Sequence, residues 1–354
     1  MLKSLYKEAI EKKDYIQEKI ENINETKIDV EGKWEDRDLN DDIEEFKISA
    51  GDGSVHKRNL LGFVFYAVAT ESLTYSDHSL NKTEHSKVDI IGKGNATSNR
   101  LRNYMEIYEI KNATKTIEEF NPDYYLFDGS ILGHLIRPIP METHIPEDKR
   151  IELIKLTKNF LENSVQELKV NIESNYLKNN FKEMEKYKKY DPIFYLEYVE
   201  KLLSLVKLLE NKEKIVCISK TSNSTSYFNK KFPDLAIFNR FTKKTGYSTP
   251  RYQEISHSIK HDFPVEDESF RKLIFTIFYI RLEDNKNVLK VELPYEADDN
   301  EINQVINILS KYSTEGYPYL LKKAHKDVII KKKDMKQLSQ IVGLYEKSGR
   351  EMLN

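Results

Sequence analysis

Hydrophobic and polar positions follow several rhythms along this chain. Residues 1–24 place Leu2, Leu5, Tyr6, Ile10, Ile16 and Ile20 near helical spacing, which predicts an amphipathic helix. Residues 25–45 are acidic and polar around Trp34 and read as a connector. From Phe46 the period shortens. Residues 46–54 and 62–70 predict two strands, with the polar segment 56–59 as a hairpin connection and a third strand over 87–91. Helical spacing returns over 97–120, where Leu101, Met105 and Tyr108 mark an apolar stripe and Thr97 or Ser98 can cap the start. Asn121-Pro122-Asp123 breaks that helix, and the run Tyr124-Tyr125-Leu126-Phe127 predicts a buried strand ending at Asp128.

Residues 147–211 are rich in Lys, Glu, Leu and Asn with almost no Gly or Pro. They predict two or three helices, broken near Asp191-Pro192, inserted into the core. Strand signals resume at 214–219, 272–282 and 288–293. A helix follows over 299–312 on Ile302, Val305, Ile306 and Leu309, and a last one over 334–346 on Met335, Leu338, Ile341, Val342 and Tyr345. The organisation expected is an N-terminal helix and connector (1–45), a first core part (46–146), a helical insertion (147–211), and a second core part with C-terminal helices (212–354).

Composition narrows the class. With 354 residues and 11% aromatics the chain can bury a core and is not disordered. A formal net charge of -2 argues neither for nor against nucleic acid, since a local basic groove suffices. The single cysteine, Cys217, excludes an intrachain disulfide and sits in an apolar run as a small buried hydrophobe. The start lacks an apolar signal core, and no stretch approaches the roughly 18 apolar residues of a membrane helix. A soluble, cytoplasmic protein is expected.

Asp-Gly-Ser occurs twice, at Asp52 and Asp128. Asp-Gly is a common turn dipeptide, but each Asp here ends a run of β-formers. Three strands, a helix and a fourth strand is the order of an RNase H-like core, in which the fourth strand lies parallel to the first. Acids on the first strand, the helix and the fourth strand then converge. Asp52 and Asp128 fill two of those places. Glu106 and Glu109 both lie on the helix, three apart and on one face. Spacing leaves the two open, with Glu109 favoured. Three carboxylates form a hard oxygen cage for Mg²⁺ or Mn²⁺, suited to phosphodiester cleavage. His325 lies among Lys322, Lys323 and Lys326, a cluster that is either a solvated face or a phosphate contact. No Gly-rich phosphate loop is present, so any ATP requirement belongs to a partner.

The segments Ala50-Gly51-Asp52-Gly53-Ser54, the helix Glu, Leu126-Phe127-Asp128-Gly129-Ser130-Ile131-Leu132, Ile218-Ser219-Lys220-Thr221, Phe278-Tyr279-Ile280-Arg281-Leu282 before Val291-Glu292-Leu293-Pro294, and Gly316-Tyr317-Pro318 with Ala324-His325 together resemble the NurA family of archaeal nucleases. The resemblance implies an RNase H-like α/β fold, with a mixed sheet and flanking helices, and Mn²⁺ binding, with Mg²⁺ as the alternative. It implies Asp52, Glu109, Asp128 and His325 as metal ligands and Tyr317 beside them. Lys220 would meet a phosphate or steady a carboxylate, and Lys322 and Lys323 would bind substrate. It further implies a homodimer that degrades DNA from 5′ ends and nicks single strands, acting with a HerA-type hexameric ATPase in end resection and repair. Two other readings keep the fold: a non-catalytic DNA- or ATPase-binding scaffold, and the same chemistry on RNA.

Overall fold

The computed structural model describes residues 2–24, 30–39, 44–137, 145–190, 192–259 and 261–345. The N-terminal helical pattern forms two helices, α1 (Lys3–Glu11) and α2 (Lys13–Asn24), with a break at Lys12. No α1 residue is buried, so no packing holds the two in one rod. The connector is not featureless: β1 (Trp34–Asp36) joins the edge of the main sheet.

The first long meander follows as β2 (Ile48–Asn59), β3 (Phe63–Ser76) and β4 (Ser79–Gly92). All three run longer than their apolar patterns. Residues 56–59, expected as the hairpin connection, are paired strand, with His56 opposite Ala67 and Asn59 opposite Val64. The reversal lies at Leu60–Gly62. Polar residues sit well there because that end of the ribbon reaches past the core and is half solvated.

Helix α3 (Thr97–Phe120) fills its expected span. Its N-cap is Ala96, not Thr97 or Ser98; Thr97 Oγ1 donates instead to Gly92 O, and Ser98 Oγ accepts from Lys57. Asn121 ends the helix in the left-handed region at φ 45°, where asparagine is tolerated. Then come β5 (Tyr124–Asp128), α4 (Ile131–Ile136), α5 (Glu147–Gln166), α6 (Ser174–Asn180), a 3₁₀ stretch over Lys182–Tyr190, and α7 (Ile193–Leu209). Beyond them lie β6 (Ile215–Ser219), α8 (Asp234–Phe241), β7 (Gly246–Ser248), β8 (Arg251–Glu254), α9 (Asp267–Arg271), β9 (Ile274–Arg281) and β10 (Leu289–Leu293). The chain closes with α10 (Asp299–Lys311), the small ladder β11 (Ser313–Thr314) and β12 (Tyr317–Pro318), α11 (Tyr319–Val328) and α12 (Lys332–Ile341). The last helix starts two residues before the expected 334 and ends short of Val342. Its expected end at 346 lies outside the described residues.

One mixed sheet runs in the order β1-β7-β9-β10-β6-β5-β2-β3-β4, with β8 paired to β9. β2, β3 and β4 are antiparallel, β5 is parallel to β2, and β6 is parallel to β5. Strand alternation divides the core between two faces. Phe127 and Cys217 point into the layer of α5 and α7. Leu126, Val216 and Ile218 point into the layer of α10 and α11. Burial pushes the Cys217 thiol up, so it is an inert core residue, as its apolar run implied. No described helix is long and apolar enough to cross a membrane.

Candidate metal centre

The β2–β5 register builds the site. Ala50 pairs with Leu126 and Gly51 with Phe127, so the next residues, Asp52 and Asp128, lie side by side where β5 ends. Both project to the α11 face. Helix α11 buries Leu320, Leu321, Ala324 and Val328 in the core beneath that face. This packing carries His325 over the strand ends, with Nδ1 2.6 Å from Asp52 Oδ2. An ionised carboxylate only accepts, so with Asp52 charged the imidazole N–H is the donor. One ligand atom from each of Asp52, Asp128 and His325 falls within 4.8 Å of the others. Two carboxylate oxygens and an imidazole nitrogen suit a divalent cation such as Mn²⁺.

The two glycines serve different needs. Gly129 has φ 129°, which disfavours any side chain, and its N–H donates to Ile218 O. Gly53 leaves room for α3, since a Cβ there would lie 2.5 Å from Glu109 Cγ. Neither Asp-Gly is a hairpin turn.

Lys220, just past β6, places Nζ 2.8 Å from Asp128 Oδ2 and 5.2 Å from the Tyr317 ring centroid. Burial raises the Asp128 carboxyl even so; Lys220 lowers it, and Asp52 raises it further. Tyr317 stands on β12 after Gly316. Its hydroxyl is buried without a hydrogen-bond partner among the described residues. Burial and the charges of Asp128 and Asp52 hold its phenol strongly protonated.

Glu106 and Glu109 part company. Glu106 accepts from Arg137 at 2.5 Å and Lys201 at 3.1 Å. Burial alone would raise its carboxyl, but His134, Lys201 and Arg137 hold it at about 2. Glu109 lies outside the three-residue group but faces Gly53 at the strand ends. Burial raises its carboxyl well above the usual range, and Asp52, Glu106 and Asp128 add to the shift, against the Gly53 N–H. The remaining two lysines are not drawn in. Lys322 pairs with Glu315, and Lys323 with Asp327 at 2.6 Å.

Glu71, outside the expected acid set, sits directly across from Asp52 on β3. It is buried, its Oε2 lies 2.6 Å from Lys82, and its Oε1 has no hydrogen-bond partner among the described residues. The signal was an acid continuing a β-forming run, one residue beyond the expected strand end at 70.

The family model for the NurA domain matches residues 46–330. The chain is similar to the probable DNA double-strand break repair nuclease NurA of Methanocaldococcus jannaschii, at 30% identity over 97% of this chain and 90% of that one. It is similar to the DNA double-strand break repair nuclease NurA of Saccharolobus solfataricus, at 26% identity over 97% and 96%. Among solved structures, the NurA nuclease from Sulfolobus solfataricus aligns with a TM-score of 0.75 at 24% identity over 97% of each chain. A NurA bound to dAMP and manganese aligns at 0.74 and 17% identity over the whole of both. These two likenesses establish the shared fold.

Proposed function

The chain belongs to the NurA family, and from that premise we propose that it is a Mn²⁺-dependent DNA nuclease of cytoplasmic DNA repair. The observation that carries the reading is the convergence of Asp52, Asp128 and His325 within 4.8 Å from three separate elements. We read the antiparallel β2-β3-β4, α3 and parallel β5 as an RNase H-like core, with residues 46–146 and 212–354 as its two parts. Residues 147–211 then form a helical insertion, and 1–45 a leading segment.

In this reading Asp52, Asp128, His325 and Glu109 hold the cation. Lewis-acid polarisation of the phosphodiester is the chemistry a bound divalent cation supplies here. Asp52 keeps the imidazole of His325 oriented through its 2.6 Å contact. Lys220 neutralises Asp128 in part and presents positive charge to a phosphate. Tyr317, protonated and unpaired, offers its O–H to a phosphate oxygen. Glu109 belongs to the set because its neighbours are acids, whereas Glu106 is already neutralised. Lys322 and Lys323 would guide DNA from outside the cluster.

Family membership extends the proposal to 5′-to-3′ degradation and single-strand nicking, to a homodimer, and to a HerA-type hexameric ATPase partner in end resection. The test is cleavage of end-labelled DNA and of a matched RNA in Mn²⁺. Wild type cuts DNA, and Asp52→Asn and Asp128→Asn each lose activity by orders of magnitude. Equal cleavage by all three proteins sinks the reading, and preferential cutting of the RNA redirects it.

A further inference from the structure

The carboxyl ends of β5 and β6 have two faces, and the acidic cluster occupies one. On the other, among α4, the loop after β6 and strands β8 and β10, lies a solvent-open cavity of about 590 Å³. That is within the ~300–1,000 Å³ of small-molecule sites. It adjoins the cluster through the chain: Ser130 is two residues past Asp128, and Ser219 directly precedes Lys220.

The lining includes an ion pair. Glu292 is fully buried and Lys290 is 6% exposed, with Nζ 2.5 Å from Glu292 Oε1. Ser130 Oγ donates to the same carboxylate at 2.8 Å while accepting from Gly133 N. An ammonium has three protons, and the Glu292 contact uses one. A buried ion pair carries a desolvation penalty that apolar packing would avoid. Beside a solvent-open cavity, this pair presents a pre-oriented cation to whatever enters.

The rest of the lining points to what that is. Arg137, partly exposed just past α4, gives Nη1 to Glu106 and carries further N–H donors beyond that contact. Ser219 and Thr221 supply hydroxyls, and Asn223 and Gln253 supply amides that both donate and accept. Leu132 and Ile136 give an apolar strip. Lys290 and Arg137 each keep N–H donors beyond their carboxylate partners, which suits a phosphate oxygen, and amides beside an apolar strip suit a base edge and a sugar without fixing one sequence.

We propose that this cavity binds one nucleotide unit of the strand being cut, next to the scissile phosphate. Lys290 and Arg137 hold its phosphate, and Asn223 and Gln253 meet its base. The assignment to the cut strand rests on the nuclease reading; the nucleotide site does not.

Two variants probe it. Lys290→Met removes the buried cation, and Asn223→Trp, on an exposed loop, fills the cavity without touching the ion pair. Thymidine 5′-monophosphate is titrated calorimetrically in EDTA, which keeps the metal centre out of the measurement. Wild type binds; Lys290→Met, which loses a charge-assisted hydrogen bond, and Asn223→Trp, which fills the space, each bind at least about tenfold more weakly. In Mn²⁺ their KM for DNA rises by a similar factor while kcat and Mn²⁺ affinity hold, the pattern of lost uniform binding. If folded Asn223→Trp binds the nucleotide and DNA as wild type does, the site is overturned. If wild type binds the nucleotide in a cavity-dependent way yet leaves DNA intact, the site is supported and the nuclease reading fails.

Discussion

Helix α3 borders two acidic regions that solve opposite problems. Along its seam with α7, every carboxylate meets an internal cation. Arg100 pairs with Glu197, Lys111 with Glu200 at 2.6 Å, and Lys201 and Arg137 with Glu106. At the strand ends the balance tips. Among the described residues, Asp128 meets Lys220 and Asp52 meets the His325 imidazole, and burial and mutual repulsion raise the carboxyls of Glu109 and Asp128. One region carries its own counter-charge. The other, in the proposed metal centre, is completed by a cation from outside. Acidic density alone does not point to a metal site; acids in excess of their internal cations do.

The sharpest way to break this contrast is to swap charge for amide three residues apart. Glu106→Gln leaves Lys201 buried without its partner and destabilises the fold by about 3–5 kcal/mol in chemical denaturation. Glu109→Gln removes a repelled acid, leaves metal-free stability equal or higher, and abolishes Mn²⁺-dependent cleavage. Equal destabilisation by both would erase the distinction.

A slightly smaller effect comes from pH. Burial, helped by Lys201 and Arg137, lowers the His134 pKa from 6.5 to about 4 despite Glu106. The native imidazole stays neutral where the unfolded one takes a proton. Stability from this group is therefore full above pH 6.5 and falls between 6.5 and 4, by about 3 kcal/mol. Glu109 runs the other way: its raised carboxyl favours the fold at low pH and loses that contribution as pH rises. The difference in stability between wild type and His134→Gln isolates the histidine, and a flat difference across that window would mean that the fold does not hold the imidazole neutral.

The smallest shift is from the ion. Mn²⁺ at a hundred times its dissociation constant adds about 2.7 kcal/mol to stability. This appears as a raised Tm that vanishes in an Asp52→Asn, Asp128→Asn double variant. A Tm rise that survives in the double variant would place the cation elsewhere.

Much of this centre was legible because it is built from regular elements. Tyr124–Phe127 could only be a buried strand, and the helix of 97–120 was bounded by Asn121-Pro122. Together they fixed where Asp52 and Asp128 would meet. The choice of helix acid was not legible, since Glu106 and Glu109 share a face. It is decided by Arg137 and Lys201, which lie 31 and 95 residues from Glu106 in sequence. Short elements such as α4, α8, β7 and β8 escaped notice because a few residues carry no period. The hairpin end was misplaced because polar residues in a protruding ribbon look like loop. Glu292 lay in a segment that carries the family resemblance, but its pairing with Lys290 two residues away was not legible, because residues i and i+2 of a strand share a face whatever they contact.

His325 and Asp52 touch across 273 residues of chain. A ribosome that has delivered everything through α10 has made both aspartates, Glu109 and Lys220, but neither Tyr317 nor the imidazole. Nascent chains up to that point hold a sheet without a finished centre. In the proposed metal centre, the ligand set is therefore complete only once α11 has been made, a timing written into chain order.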